Sequence, residues 1–153
     1  MIEELKVFLI AMSPIFELRG SIPMALGVFY LPVWSAFLIS IVGNIVPVVF
    51  ILLLLESVSS FLSERSRFFQ RFFNWLFERT RRKHAGTFER WKDLALLLFV
   101  AIPAPFTGAW TGSLCAFVFG IPFKRAMPLI AGGVIVAGII VTLATLGIIQ
   151  ITI

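Results

Sequence analysis

Glu17 and Arg19 are the two residues of this chain that could do chemistry where chemistry is costly. They stand in Ser-Pro-Ile-Phe-Glu-Leu-Arg-Gly-Ser-Ile-Pro (13–23), and no other charge falls between Lys6 and Glu56. Ionised groups at membrane depth generally face a polar cavity or a partner and mark a transport path. A carboxyl there can carry a proton, and a guanidinium can hold an anion through its planar fork. Pro14, Gly20 and Pro23 are expected to break the helix around the pair, and broken backbone at that depth must be sheltered by protein or line a cavity. The segment reads as the floor of a site. Thr107, Trp110 and Thr111, just past Pro103 and Pro105, offer further polar groups. Asn44, three residues before Pro47, places an amide within a crossing, where packing and substrate contact are both open readings. Gly108 and Gly112 have the spacing that lets helices approach closely. Lone Cys115 and lone His84 offer neither an intrachain disulfide nor a metal constellation. With no nucleophile–base pair or phosphate-binding glycine loop, neither an enzyme nor a cofactor is expected.

The elements that position these residues belong in a bilayer. The chain is 59% hydrophobic, with a mean hydropathy of +1.02. Soluble domains average about 45–50% apolar even with glycine counted. Two stretches, Leu31–Leu55 and Met127–Ile153, exceed the ~20 apolar residues a crossing needs. Glu3 and Glu4 precede the first apolar run and a proline interrupts it, so no cleavable signal peptide is expected. One membrane domain accounts for all 153 residues.

Charge placement sets the topology. Of thirteen Lys and Arg, nine lie between Arg65 and Lys92, and Lys124 and Arg125 add a pair. A basic stretch confined to a loop between apolar segments argues against nucleic acid and for the cytoplasmic face. The 63–93 connection and the 124–125 turn are therefore expected on one side. Leu94–Pro122 must then enter the membrane and return, bending at Pro103-Ala104-Pro105. Leu5–Leu31 reads as a second re-entrant hairpin from the opposite side, a single kinked crossing from Leu5 to Tyr30 being the alternative. Within the connection, Arg67–Glu78 sets Phe68, Phe69, Phe72, Phe73, Leu76 and Phe77 at helical spacing. That pattern suits an interfacial helix, with Arg67, Arg71, Arg81, Arg82, Lys83, Lys124 and Arg125 toward lipid headgroups. A soluble partner surface is the alternative.

The chain repeats at an offset of ninety residues. Ala11 pairs with Ala101, Phe16 with Phe106, Val28 with Val118, Phe29 with Phe119 and Pro32 with Pro122. Ala36, Gly43, Ile45, Val46 and Leu53 likewise match Ala126, Gly133, Ile135, Val136 and Leu143. Breaks align with breaks and spans with spans. The expected fold is all-α: repeat 1 over 5–62, an amphipathic connector over 63–93 and repeat 2 over 94–153. Each repeat is a hairpin plus one crossing. An odd number of crossings per half makes the repeat inverted, with both termini outside, and transporters bind substrate near the midplane between such repeats.

Four motifs carry a family resemblance: Glu-Leu-Arg-Gly-Ser-Ile-Pro (17–23), Gly-Asn-Ile-Val-Pro (43–47), Ile-Pro-Ala-Pro-Phe-Thr-Gly-Ala-Trp-Thr-Gly (102–112) and Ala-Gly-Ile-Ile-Val-Thr-Leu (137–143). Over nearly its whole length the chain resembles the small multidrug export protein family, a compact prokaryotic relative of the DedA, or VTT-domain, superfamily. The resemblance implies facing re-entrant hairpins, a prokaryotic cell membrane, and proton-linked transport or movement of polyprenyl phosphates and other lipids between leaflets. It would assign the superfamily's membrane-embedded acid and base to Glu17 and Arg19. The basic turn at 121–125 is similar too. DedA proteins usually carry arginine in the second hairpin, where this chain has Pro105, Phe106 and Thr107, so a two-arginine phosphate clamp does not transfer.

Two functions follow. In one, an anionic amphiphile, a polyprenyl phosphate or phospholipid, pairs with Arg19, aided by half-helix N-termini expected near Ser21 and Thr107. In the other, protons drive export of lipophilic small molecules, although a lone acid beside a cation suits a cationic drug poorly. The anionic reading is favoured. A non-transporting membrane subunit is a third class, and a buried charge pair argues against it. A homodimer is expected, since two crossings and two hairpins barely enclose a cavity.

Overall fold

The computed structural model describes residues 1–81, 87–104 and 107–152. Those residues form helices α1 (Ile2–Met12), α2 (Glu17–Gly27), α3 (Val33–Arg65), α4 (Arg67–Arg81), α5 (Thr87–Ala101), α6 (Ala109–Val118) and α7 (Phe123–Thr152), with no strand among them. At ~1.5 Å per residue, α3 and α7 are long enough to cross a ~30 Å hydrocarbon core, and α1, α2, α5 and α6 are not.

Short, short and long helices follow one another twice, and the local chemistry repeats with them. Proline ends each approach to a long helix, and its carbonyl accepts the first helical bond: Ala36 N–H donates to Pro32 at 2.9 Å, and Ala126 N–H to Pro122 at 2.9 Å. Each long helix is crossed by the first short helix of its own half at a glycine. A Cβ on Gly43 would sit 2.7 Å from the Phe8 carbonyl oxygen, and one on Gly133 would sit 2.7 Å from Val100 Cβ. The second short helices pack across the halves: α2 lies on α7 as well as α3, and α6 lies on α3 as well as α7. Small residues make this possible, for Ala25, Ala36, Ala109, Ala116 and Ala126 are all fully buried.

The middle of α5 and the end of α6 both lie near the start of α7. Asp93, midway along α5, accepts from Arg125 on the first turn of α7 at 2.7 Å. Phe117, near the end of α6, shares a cavity with Ser60 of α3 and Phe123 of α7. Lys6 of α1 lies 5.7 Å from the ring of Phe29, just past α2. Hydrocarbon covers the outside of the bundle, with Leu38, Phe50, Leu54 and Leu143 each more than half exposed. A water-facing monomer seldom shows so continuous an apolar surface.

Two expected breaks are absent. Gly20 and Pro23 lie inside α2, which starts at Glu17 rather than near Ser21. The turn is made by Ser13, Pro14, Ile15 and Phe16 instead. Pro23 removes only the N–H that would face the Arg19 carbonyl, a loss one turn can absorb. Gly20 is needed for space, since a Cβ there would sit 2.7 Å from Phe16 Cβ. The amphipathic helix continues to Arg81.

Candidate functional site

The turn at 13–16 and the described residues between α5 and α6, 102–104 and 107–108, come together, and Glu17 is the residue that joins them. Its backbone has φ 45°, a left-handed value unusual for a side-chain-bearing residue. That twist opens α2 with the carboxylate turned inward, 7% exposed. One carboxylate oxygen accepts the Trp110 N–H at 3.3 Å, and the Ala109 N–H also bonds the carboxylate. Glu17 therefore caps the N-terminus of α6 from the other half of the molecule. An anion belongs there, because the first amides of a helix have no partner within it and carry the positive end of its dipole.

Gly108 makes the seat. A Cβ at this position would fall on the Glu17 carboxylate, and its φ of 132° is one side chains rarely adopt. The sequence spacing suggests helix packing at Gly108 and Gly112; Gly112 meets Val100 of α5, and Gly108 meets the Glu17 side chain at the start of α2.

Arg19, two residues on, donates from its guanidinium to the Thr107 carbonyl. The turn it grips is internally braced: the Thr107 hydroxyl reaches the Ile102 carbonyl at 2.6 Å and the Ala104 carbonyl at 2.7 Å, and accepts from the Ala104 N–H at 3.1 Å. The Trp110 indole N–H donates to the Met12 carbonyl at 3.2 Å, tying α6 back to the end of α1. Glu17 and Arg19 thus engage successive groups of one loop, the amides and the carbonyl at the α6 entry.

Beneath this latch lies a void of about 10 Å³ lined by Glu17, Arg19, Asn44, Gly108, Val134 and neighbours. Such a space holds about one water. Asn44 is 1% exposed, and its amide oxygen has no hydrogen-bond partner. Ser40, one turn before Asn44, and Ser21 of α2 are also fully buried with unpartnered hydroxyls. At the offset of ninety, Ser40 and Asn44 correspond to Ile130 and Val134, both fully buried and apolar. Among the described residues, the buried side chains with an unpartnered polar atom all belong to the first half.

Glu17, Arg19, Asn44, Pro103 and Gly108 thus share one void, and Thr107 and Trp110 join it through backbone groups. Thr111 does not line it; its hydroxyl turns to the Gly108 carbonyl at 3.5 Å. Pro14 sits exposed in the first turn, and Pro105 lies outside the described residues. Of the basic residues, Arg67, Arg71 and Lys124 are exposed, and Arg125 pairs with Asp93 at 2.7 Å. The Arg81 side chain, Arg82, Lys83 and His84 lie outside the described residues. Residue types could not reveal the Met12 carbonyl or the Trp110 amide. The i, i+4 spacing of Ser40 and Asn44 in an apolar span could have flagged Ser40.

A family model described as "Putative small multi-drug export protein" matches residues 17–140, from the latch carboxylate to the middle of α7. The chain belongs to that family. No curated protein and no solved structure matches it. Family and apolar surface together make it a membrane protein of the small multi-drug export type.

Proposed function

We propose that the chain is a proton-linked transporter that exports amphiphilic small molecules, caught with its central site closed. The observation that carries this reading is the latch: two ionisable residues of α2 held by backbone groups at the entry to α6. In the proposed arrangement α1–α2 and α5–α6 are re-entrant hairpins entering from opposite leaflets, and the halves form an inverted repeat. Asn44 and Val134 lie eleven residues into α3 and α7, ~16 Å along each axis. That depth matches half of a ~30 Å hydrocarbon core. The hairpin tips would then meet at the midplane of a prokaryotic cell membrane, with the 63–93 connector in the cytoplasm and both termini outside.

Opening such a site requires releasing α6. Protonating Glu17 removes the anion that the α6 amides hold, weakens the cross-half cap and leaves Arg19 alone on Thr107. A proton taken up on one side and lost on the other would then couple to hairpin movement. No covalent chemistry and no cofactor enter this cycle. A homodimer would complete the walls that one chain encloses poorly.

A second reading, movement of an anionic amphiphile such as a polyprenyl phosphate or phospholipid, draws on Arg19. Among the described residues its guanidinium donates only to Thr107, and guanidinium carries five N–H groups. Reconstitution in liposomes with fluorescent lipid and drug panels, with and without a proton gradient, separates the two. Export predicts gradient-driven uptake of small molecules that Glu17→Gln abolishes while the protein remains inserted. Lipid movement predicts headgroup-selective flipping that Arg19→Lys impairs. Undiminished pH-dependent transport in Glu17→Gln removes the latch from the mechanism.

A further inference from the structure

A second cavity, of about 370 Å³, lies at the end of the bundle where α3 meets the turn between α6 and α7. Its volume is in the range of small-molecule pockets, roughly 300–1,000 Å³. One side is apolar, built from Phe117, Phe119, Ile121 and Phe123; the other carries Glu56, Ser59, Ser60 and Ser63. The Phe73 ring of α4 packs edge-on against Phe117, with centroids 6.2 Å apart, so the amphipathic helix braces the apolar wall.

The polar side is richer in acceptors than in donors. Ser59 donates its hydroxyl proton to the Glu56 carbonyl at 3.0 Å, and Ser60 donates to the Glu56 or Ser57 carbonyl at 3.0 Å. A serine hydroxyl has one proton, so toward the cavity these two can offer only lone pairs. Glu56 is the one formal charge in the lining. Among the described residues it forms no ion pair. The C-terminus of α6 and the N-terminus of α7 both abut the space, and their opposite end charges offset. The neighbouring cations do not line it: Arg125 is bound to Asp93, and Lys124 is absent from the lining. A net anionic polar wall, in which Glu56, Ser59 and Ser60 offer lone pairs and Ser63 alone has a hydroxyl proton to give, opposite an aromatic one selects a ligand with hydrogen-bond donors, positive charge and an apolar body.

We propose that this cavity binds an amphiphile bearing a protonated amine, its ammonium on Glu56 and the seryl oxygens and its apolar part among Phe117, Phe119, Ile121 and Phe123. The site is separate from the Glu17–Arg19 latch and stands whether or not the latch drives transport. The test uses the full-length protein in phosphatidylcholine nanodiscs, titrated with a dansylated long-chain primary amine and with the same chain ending in a hydroxyl or a carboxylate. The amine probe should saturate and lose roughly tenfold affinity in Glu56→Gln, as expected for one charge-assisted contact. The hydroxyl and carboxylate probes should show only lipid partitioning. Glu56→Lys should reverse the preference, admitting the carboxylate probe and rejecting the amine, an outcome that misfolding cannot produce. Gly27→Ala, where an added Cβ meets nothing within 4 Å, should bind the amine as the unmodified protein does. Amine binding that ignores Glu56→Gln overturns the assignment, as does equal saturation by the carboxylate probe.

Discussion

Gly108 shows how a residue without a side chain governs a charged one. Its φ of 132° lies in a region that costs other residues about 1–3 kcal/mol, and a Cβ there would collide with the Glu17 carboxylate. Gly108→Ala is therefore expected to displace Glu17, uncap α6 and lower thermal stability in detergent by at least about 2 kcal/mol, whereas Gly27→Ala, where an added Cβ meets nothing within 4 Å, should leave the transition where it is. Equal melting of the two variants would mean the carboxylate does not need its seat. Arg19 makes a subtler case. Lysine can still reach the Thr107 carbonyl but lacks the fork, so Arg19→Lys should keep the fold and melt within about 1 kcal/mol of the unmodified protein. Arg19→Ala leaves that carbonyl without its partner, at a cost of about 1–3 kcal/mol if it stays buried. Glu17 and Arg19 were legible in the sequence because charge is so scarce between Lys6 and Glu56. What they touch was not, because amides and carbonyls occur in every residue and only the fold selects Trp110 and Thr107.

Among the elements, the long helices were plain from their apolar length, and the short ones were legible only where something broke them. Pro32 and Pro122 precede α3 and α7, each ring ending one segment and each carbonyl opening the next, whereas the apolar stretches alone put the crossings at Leu31–Leu55 and Met127–Ile153. The start of α2 was misplaced because Gly20 and Pro23 suggest a break that the Ser13–Phe16 turn makes instead. Proline loses one hydrogen bond, and a short helix pinned at both ends tolerates that. Topology is where the elements meet the membrane. Ser60 and Phe123 line the same cavity, so cysteines at these positions, with Cys115 replaced by serine, should be labelled from the same side by an impermeant maleimide. Labelling from opposite sides would make Leu94–Pro122 an ordinary crossing and leave the proposed re-entrant pair without support.

For the molecule as a whole, the decisive feature is that the second short helix of each half packs on the long helix of the other, and that Glu17 of the first half caps α6 of the second. Neither half can satisfy itself alone. Residues 1–81 by themselves would present the Glu17 carboxylate, Ser21, Ser40 and Asn44 to lipid with no α6 or α7 over them, and unpaired polar groups in hydrocarbon cost several kcal/mol each. Residues 87–153 would leave the α6 amides uncapped, although Ile130 and Val134 make that half the less polar one. Produced as two chains cut between 81 and 87, the halves should co-purify as one complex with a single thermal transition. The first half alone should aggregate or be degraded, and Glu17→Gln should weaken the split complex more than the intact chain, because the cut removes the tether that keeps the cap at high local concentration. If residues 1–81 alone come out of the membrane monodisperse, melting as the intact chain does, the interlocking of the halves contributes nothing to the fold, and the latch would have to be understood as a local contact with no bearing on how the two hairpins move.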